Sequence, residues 1–412
     1  MNLVSTSSIR NYLERLPVSL KIIIKARLWT AIGSGGVLYL SPIIFNNLGF
    51  SAEQIGSGIT TAAFAGITTR IVTGYLLDKK YSYTKTIKVA CLIAIISDYV
   101  LLNSESYLAY LLGQFFLGAA AGIYWPSIEL AVPLSCNNKV NSNEAYPLAR
   151  SADAIGVTLG VLTGTIGTYF GSPRVIYIID IICMVYIFYM LKCNTEGSTN
   201  RSNLKISNKA ENTKKRPFKL LNFNWILELA PLLSLTLFVT GVMSLIQTIL
   251  PLDLVNGGVI RPPFIEQRVA SLLTFKLILI AILQWPVGYF IRHKTSSFKF
   301  KLCLLLLLIG FILLSLSNFL FNGHITIIIA FIPLSIALCI FLPSASDAII
   351  KSSPKEYRGS AIALYSQCFG ISSLTIPWLA GKLIDNYNTA IQVWLIVSLA
   401  CLFLIPICKK IK

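Results

Sequence analysis

Twelve apolar runs separated by short polar turns constrain this chain more than any other feature. They fall at about 22–46, 52–77, 87–103, 107–133, 148–170, 174–192, 223–250, 267–291, 301–320, 324–349, 359–383 and 389–408. Crossing the hydrocarbon of a bilayer as a helix takes roughly 20 residues. Helix is the default there, because a backbone facing lipid must satisfy its own polar groups. Charged residues make up 13% and hydrophobic residues 55% of the 412, whereas a soluble domain carries about 25% charge. The sequence predicts an all-α membrane protein of twelve transmembrane helices.

The net charge of +18 is unevenly placed. Lys79, Lys80, Lys85 and Lys88 follow the second run, and Arg292, Lys294, Lys299 and Lys301 follow the eighth. Lys192, Arg201, Lys205, Lys209, Lys214, Lys215, Arg216 and Lys219 fill the middle of the chain, and Lys409, Lys410 and Lys412 close it. The intervening turns hold few cations: Arg174, Arg261, Arg268 and Lys382. Basic turns stay on the cytoplasmic side, so both termini and the middle segment are expected there, in a plasma or inner membrane. Residues 1–21 read as a cytosolic lead-in, not a cleavable signal peptide. Residues 22–192 and 223–408 read as two six-helix bundles, 193–222 as a basic linker and 409–412 as a tail. Because the cations sit between apolar runs, they signal topology and not a nucleic-acid partner. The nine cysteines form no CxxC pair, and His293 and His324 lie far apart, so neither a metal nor a cofactor is expected. Ser51-Ala-Glu-Gln54 fits a capping box opening the second run.

The two halves repeat. GYLLDKKYSYTK at 74–85 matches GYFIRHKTSSFK at 288–299, an offset of 214. EAYPLARSADAIG and RGSAIALYSQCFG end on Gly156 and Gly370, again 214 apart. Duplicated helical halves around a midplane site are a transporter architecture. Gly74-x-x-x-Asp78-Lys79, QFFLGAAAGIYWP (114–126), LGFSAEQIG (48–56) and RGSAIAL (358–364) then resemble motifs of the major facilitator superfamily, and the likeness extends over nearly the whole chain. It implies two pseudo-symmetric six-helix bundles. Three positions depart from the pattern: Tyr81 stands where glycine is usual, Gln114 where arginine is frequent, and Gly156, Gly160 and Gly164 lack the proline of the family's antiporters.

The resemblance also implies that Asp78 engages the start of the eleventh helix, near Arg358. The repeat maps Asp78 onto Arg292 and Arg358 onto Glu144, both signs inverted. Two latches are therefore expected, Asp78 with Arg358 and Arg292 with Glu144. Gly74 would allow close approach and Lys79 would flank the turn. The alternative for all four charges is solvated loop residues.

An ionisable group at bilayer depth suggests function. Lys276 lies mid-run in SLLTFKLILIAIL, and Arg70 lies about 12 Å along the helix from Asp78. Both are cavity candidates, with structural pairing or snorkelling as alternatives. Asp153 is a candidate proton carrier, or simply neutralises Arg150 one turn away. Glu228 is a further candidate, with an interfacial charge as its alternative. Glu129 and Asp347 are expected in the gate network, and Asp98 and Asp180 near the outer face in contact with solvent. Tyr39, Tyr124, Trp125, Gln247, Gln284, Tyr365 and Gln367 are candidates to line a cavity, or packing residues. The Gly33-Ser-Gly-Gly36 run permits bending or close packing.

The function expected is alternating-access secondary transport of a small molecule, a metabolite or drug, probing efflux by proton antiport first and uptake by proton symport second. The chain is expected to work as a monomer. No GxxxxGK[ST] motif supports an ATP-driven pump, and no catalytic cluster supports an enzyme. A non-transporting scaffold or receptor remains the alternative of a different class.

Overall fold

A computed structural model describes residues 15–50, 52–136, 140–198, 224–387 and 389–411. The capping residue Ser51 and most of the lead-in and linker, including residues 199–223, lie outside the described residues. Twelve long helices account for nearly all of what is described. In the first half they are α1 (Val18–Asn47), α2 (Ala52–Asp78), α3 (Tyr83–Leu102), α4 (Tyr107–Leu134), α5 (Ser142–Tyr169) and α6 (Val175–Ser198). In the second they are α7 (Asn224–Asn256), α8 (Glu266–Ile291), α9 (Ser296–Ser317), α10 (Gly323–Ser352), α11 (Arg358–Tyr387) and α12 (Ile391–Leu404). Seven of them are long and apolar enough to cross a membrane by length and composition alone. Several of the others carry polar groups used between helices, as in α5 with Glu144, Arg150 and Asp153.

Each half packs within itself. In the first, α1 lies on α5 and α6, and α4 on α2 and α3; in the second, α7 lies on α11, and α10 on α8 and α9. The halves meet mainly where α2 touches α11 and α5 touches α8. The second half has one continuous apolar core, from Leu229 through Phe311 and Phe331 to Trp394. The first half has two separate cores, one around Ala26, Ala94 and Met184 and another around Val37, Leu101 and Tyr177.

Several helix ends differ from the sequence reading by four to six residues, two of them at prolines. α5 starts at Ser142, so Pro147 lies at its sixth position, where the ladder goes without one N–H and the helix continues through it. α12 stops at Leu404, where Pro406 cannot continue the ladder and the chain tightens into a 3₁₀ turn over Ile405–Lys410. The α2–α3 turn is closed by Tyr81 N–H donating to Leu76 C=O at 3.1 Å and Lys80 N–H to Leu77 C=O at 3.0 Å. This Schellman-like closure needs a left-handed residue, and Lys80 supplies it at φ 61°. A side chain there costs about 1 kcal/mol. Lys80→Gly should therefore raise the stability of the solubilised protein by about 1 kcal/mol, read from thermal unfolding. Unchanged or lower stability would show that the turn is held by something other than this closure.

Candidate functional site

The charged residues of the first half and the seam between the halves form one connected region. Call the end carrying the α2–α3 and α8–α9 turns the basic end. There Gly74 brings α2 onto α11: a Cβ on Gly74 would lie 2.6 Å from Ala363 Cβ. The repeat-related Gly288 does the same for α8 on α5, where a Cβ would lie 2.3 Å from Pro147 Cβ. Both seams are thus possible only with glycine at these places.

One residue beyond the turn of helix from Gly74, Asp78 receives the N-terminus of α11. Its Oδ1 accepts the Gly359 N–H at 2.7 Å; its Oδ2 accepts the Ser360 N–H at 3.0 Å and the Ser360 hydroxyl. The first amides of a helix have no internal acceptor and carry the positive end of its dipole, so a carboxylate satisfies both needs. No ion pair joins Asp78 to Arg358 among the described residues, which corrects the expected latch: the carboxylate binds backbone, not guanidinium. Lys79 Nζ lies 5.3 Å from the Tyr75 ring centroid. At the other seam Arg292 Nε stands 3.5 Å from Glu144 Oε1, and the guanidinium lies over the Tyr289 ring at 3.6 Å. Asp347 adds a third tie, accepting from Ser142 Oγ at 2.5 Å and pairing with Lys351 at 2.7 Å. Gln367 Nε2 donates to Ile67 C=O at 2.6 Å, and towards the opposite end Gln247 Nε2 donates to Tyr39 Oη at 3.3 Å.

Next to these ties lies a ring of four charges. Arg27 of α1 grips Asp153 of α5 through Nε–Oδ1 at 3.0 Å and Nη2–Oδ2 at 2.5 Å. Its Nη1 reaches Glu129 Oε2 of α4 at 2.8 Å, and Glu129 Oε1 accepts from Arg150 Nη2 at 2.9 Å. Arg150 Nη1 closes the ring at 3.6 Å from Asp153. The pairing of Arg150 with Asp153 expected from their spacing is thus its longest side. Two cations and two anions leave the ring neutral, as burial demands. Arg150 extends across the seam, to Ser346 Oγ at 3.1 Å and Tyr365 Oη at 3.4 Å, and the Ser346 hydroxyl also bonds the Glu129 carboxylate.

Arg27 was not legible as a site residue. Lys21 and Lys25 precede it, and the three read together as the basic flank of the first span. The one available signal was its place five residues inside the expected 22–46 span.

The other candidates are separated. Arg70 of α2 lies under α11, with Nη1 2.7 Å from where a Cβ on Gly370 would sit, and its buried Nε has no acceptor. Lys276 of α8 is 7% exposed and meets no carboxylate among the described residues. At the repeat offset Arg70 corresponds to Gln284, which donates to Cys339 C=O at 3.1 Å. Lys276 therefore lies eight residues from the level of Arg70, or about 12 Å further from the basic end. Glu228 is exposed near the start of α7 and is not brought into the ring. Arg261, expected in a turn facing solvent, is buried and paired with Asp253 at 3.1 Å, whose other oxygen accepts the Trp394 N–H at 3.2 Å. Asp98 and Asp180, expected in solvent, are 0% and 1% exposed, because their sides of α3 and α6 face each other and not outward.

The family profile described as Major Facilitator Superfamily matches residues 26–377 and 266–408. No curated protein sequence matches the chain significantly. Among solved structures it is similar to the transporter FucP in an outward conformation, at 14% identity over 96% of this chain and 99% of that one, with a TM-score of 0.72. A bacterial homologue of the iron transporter ferroportin, outward-facing, gives the same identity, coverage and score. A variant of the nucleoside transporter NupG gives 14% identity, 96% and 100% coverage and a TM-score of 0.63.

Arg27→Met leaves two buried carboxylates sharing Arg150, and should cost about 3–5 kcal/mol, read as a lower melting temperature. Adding Glu129→Gln restores neutrality and should recover most of the loss; a double variant as unstable as the single would show that the ring is not one electrostatic unit. At the looser seam, Glu144→Arg and Arg292→Glu should each increase spin-label distances across the basic end. The swap combining them should restore the distance, and additive opening would dismiss the pair.

Proposed function

The chain belongs to the Major Facilitator Superfamily and is a membrane transporter rather than an enzyme, and on that premise we propose proton-coupled alternating access to a small anionic or zwitterionic molecule. The basic end is then cytoplasmic, with both termini there, and the two halves are tied together on that side. The protein acts as a monomer in the plasma membrane.

The observation that carries this reading is the reach of Arg150. Its ring is built from the first half, and Arg150 carries it across the seam to Ser346 and Tyr365, with Ser346 also bonded to Glu129. Parting the halves at the cytoplasmic side withdraws both acceptors and admits water. Arg150 then turns towards its own carboxylates or towards solvent, and Asp153 gains access to a proton. Conversely, a proton on Asp153 weakens the grip of Arg27 and frees charge within the ring. Proton occupancy and the position of the seam are thus linked through one guanidinium. Among the described residues, neither Arg70 nor Lys276, both within membrane-spanning helices, meets a carboxylate. A buried cation without a counter-charge is stabilised by an anionic ligand, and the two lie at different depths along the path. Glu228, being exposed, is left with an interfacial role.

Efflux in exchange for protons is the direction proposed. Uptake with protons is the second reading, favoured by Gly156, Gly160 and Gly164 lacking a neighbouring proline in α5; FucP, named as a fucose:proton symporter of E. coli, is a relative in fold only.

Vesicles containing the purified protein and a pH-sensitive dye, offered a panel of small organic anions under an imposed pH gradient, test this reading. The expected result is anion flux accompanied by proton movement, opposite in direction for antiport and parallel for symport. Asp153→Asn should uncouple the two, and Arg70→Gln or Lys276→Gln should raise the KM for the anion at least tenfold. Anion flux indifferent to the pH gradient would refute coupling, and no flux with any solute would favour the scaffold.

A further inference from the structure

The gap between the two apolar cores of the first half is occupied by carboxyl groups. α3 gives Ala94 to one core and Leu101 to the other, and Asp98 lies between them; α6 gives Met184 and Tyr177, with Asp180 between. Both aspartates are essentially without exposure, and their carboxyl groups meet directly. No protein donor reaches Asp98 Oδ1, Asp98 Oδ2 or Asp180 Oδ1. From α1, the backbone at Gly33 presses on the pair: a Cβ there would lie 1.9 Å from Asp180 Oδ1.

The second half shows what packing alone would select. The residue 214 positions after Asp180 is Trp394, which is buried and stacked on Phe311 at 5.7 Å between centroids. The residue 214 after Asp98 is Ile312, which is exposed, and its buried neighbour Phe311 is the one that faces Trp394 as Asp98 faces Asp180. A stacked pair of aromatic rings thus stands where the first half carries two acids.

We propose that Asp98 and Asp180 form a proton-binding site separate from the seam, in which one carboxylic acid donates to the other's carboxylate and the shared proton sets the packing of α1 at its glycine run. Two ionised carboxylates in this apolar setting would repel one another with no donor to compensate. One proton removes a charge and supplies the missing donor at once. The titratable groups around the pair provide no cation. They are Cys91 of α3, Cys183 and Tyr177 of α6, and, behind Tyr177, Tyr110 of α4. The Tyr177 hydroxyl is engaged with Ser41 of α1 at 2.9 Å, and Ser97 donates to Gly113 C=O at 2.9 Å. Arg174, near the α6 start, gives two N–H groups to the carbonyls of Leu102 and Ser104. A metal ion would need several more oxygens than these neighbours leave free.

The site is close to the side opposite the basic end. Asp98 is four residues from the end of α3 at Leu102, about 6 Å, and Asp180 is five residues from the start of α6 at Val175, about 8 Å. Losing the proton drives the carboxylates apart. Asp180 is the one wedged against Gly33, so the strain passes to α1 where Gly33, Gly35 and Gly36 leave the helix least stiff. The same helix carries Arg27 into the charge ring.

Infrared difference spectra and proton titration of the purified protein test the site without any transported solute, so they stand or fall apart from the coupling assigned to Asp153. Wild type should show the carbonyl stretch of a protonated carboxyl at pH values where solvated carboxyls are ionised. Raising the pH should bleach that band, release the proton and lower the melting temperature. Asp98→Asn and Asp180→Asn, which supply an amide donor without a proton, should each remove the band, release one proton fewer per chain and flatten the fall in melting temperature. Should neither variant fold, the band in wild type decides alone. Absence of that band, an unchanged proton count in both variants, or stabilisation of wild type by sodium or potassium at fixed pH would overturn the proposal.

Discussion

A charge drawn into a bilayer must find its compensation there, and the neutral ring of Arg27, Glu129, Asp153 and Arg150 does this across three helices. It pins α1, α4 and α5 to one another by contacts that neither water nor salt screens well. The first half is thereby held together as a body, and Arg150 is the member of the ring whose guanidinium reaches Ser346 and Tyr365 of its neighbour. The second half lacks an equivalent at the same offset: Gly241, Pro343, Leu364 and Gln367 stand in place of the four. Its cohesion comes from the unbroken apolar core, and a buried ion pair, Asp253 with Arg261, sits towards the other end.

The repeat gives the halves the same shape and unlike chemistry. Gly74 and Gly288 keep a common role, thinning the helix where the halves touch. The charges beside them have diverged: Asp78 addresses backbone amides, whereas Arg292 addresses a side chain. Asp180 and Trp394 have diverged further, from an acid to an indole in the same fold position. Duplication fixes where helices cross, and leaves each crossing free to acquire its own polar content.

The number and order of helices were readable because lipid forces length and apolarity together onto each crossing segment. Depth along a helix was readable too, since it is a count of residues. Azimuth was not. Asp98 and Asp180 were placed at the correct level and assigned to solvent, because in a segment apolar all round nothing in the sequence marks the face turned inward. Arg27 was hidden for a related reason: among Lys21 and Lys25, a cation just inside the span looks like the last of the flank. Asp78 and its engagement with the start of the eleventh helix were both expected, whereas the added ion pair with Arg358 does not form, because the backbone amides and the Ser360 hydroxyl already occupy the carboxylate.

The two catches at the basic end differ in kind. One is a carboxylate seated on amides and a hydroxyl; the other is a half-open contact between two side chains at 3.5 Å. Counter-ions compete with the second far better than with the first. Dissolved electrolyte therefore slackens one corner of the molecule while the other stays fastened. Under the alternating access proposed above, the halves would swing about the α2–α11 corner, with the α5–α8 corner as the edge that lifts.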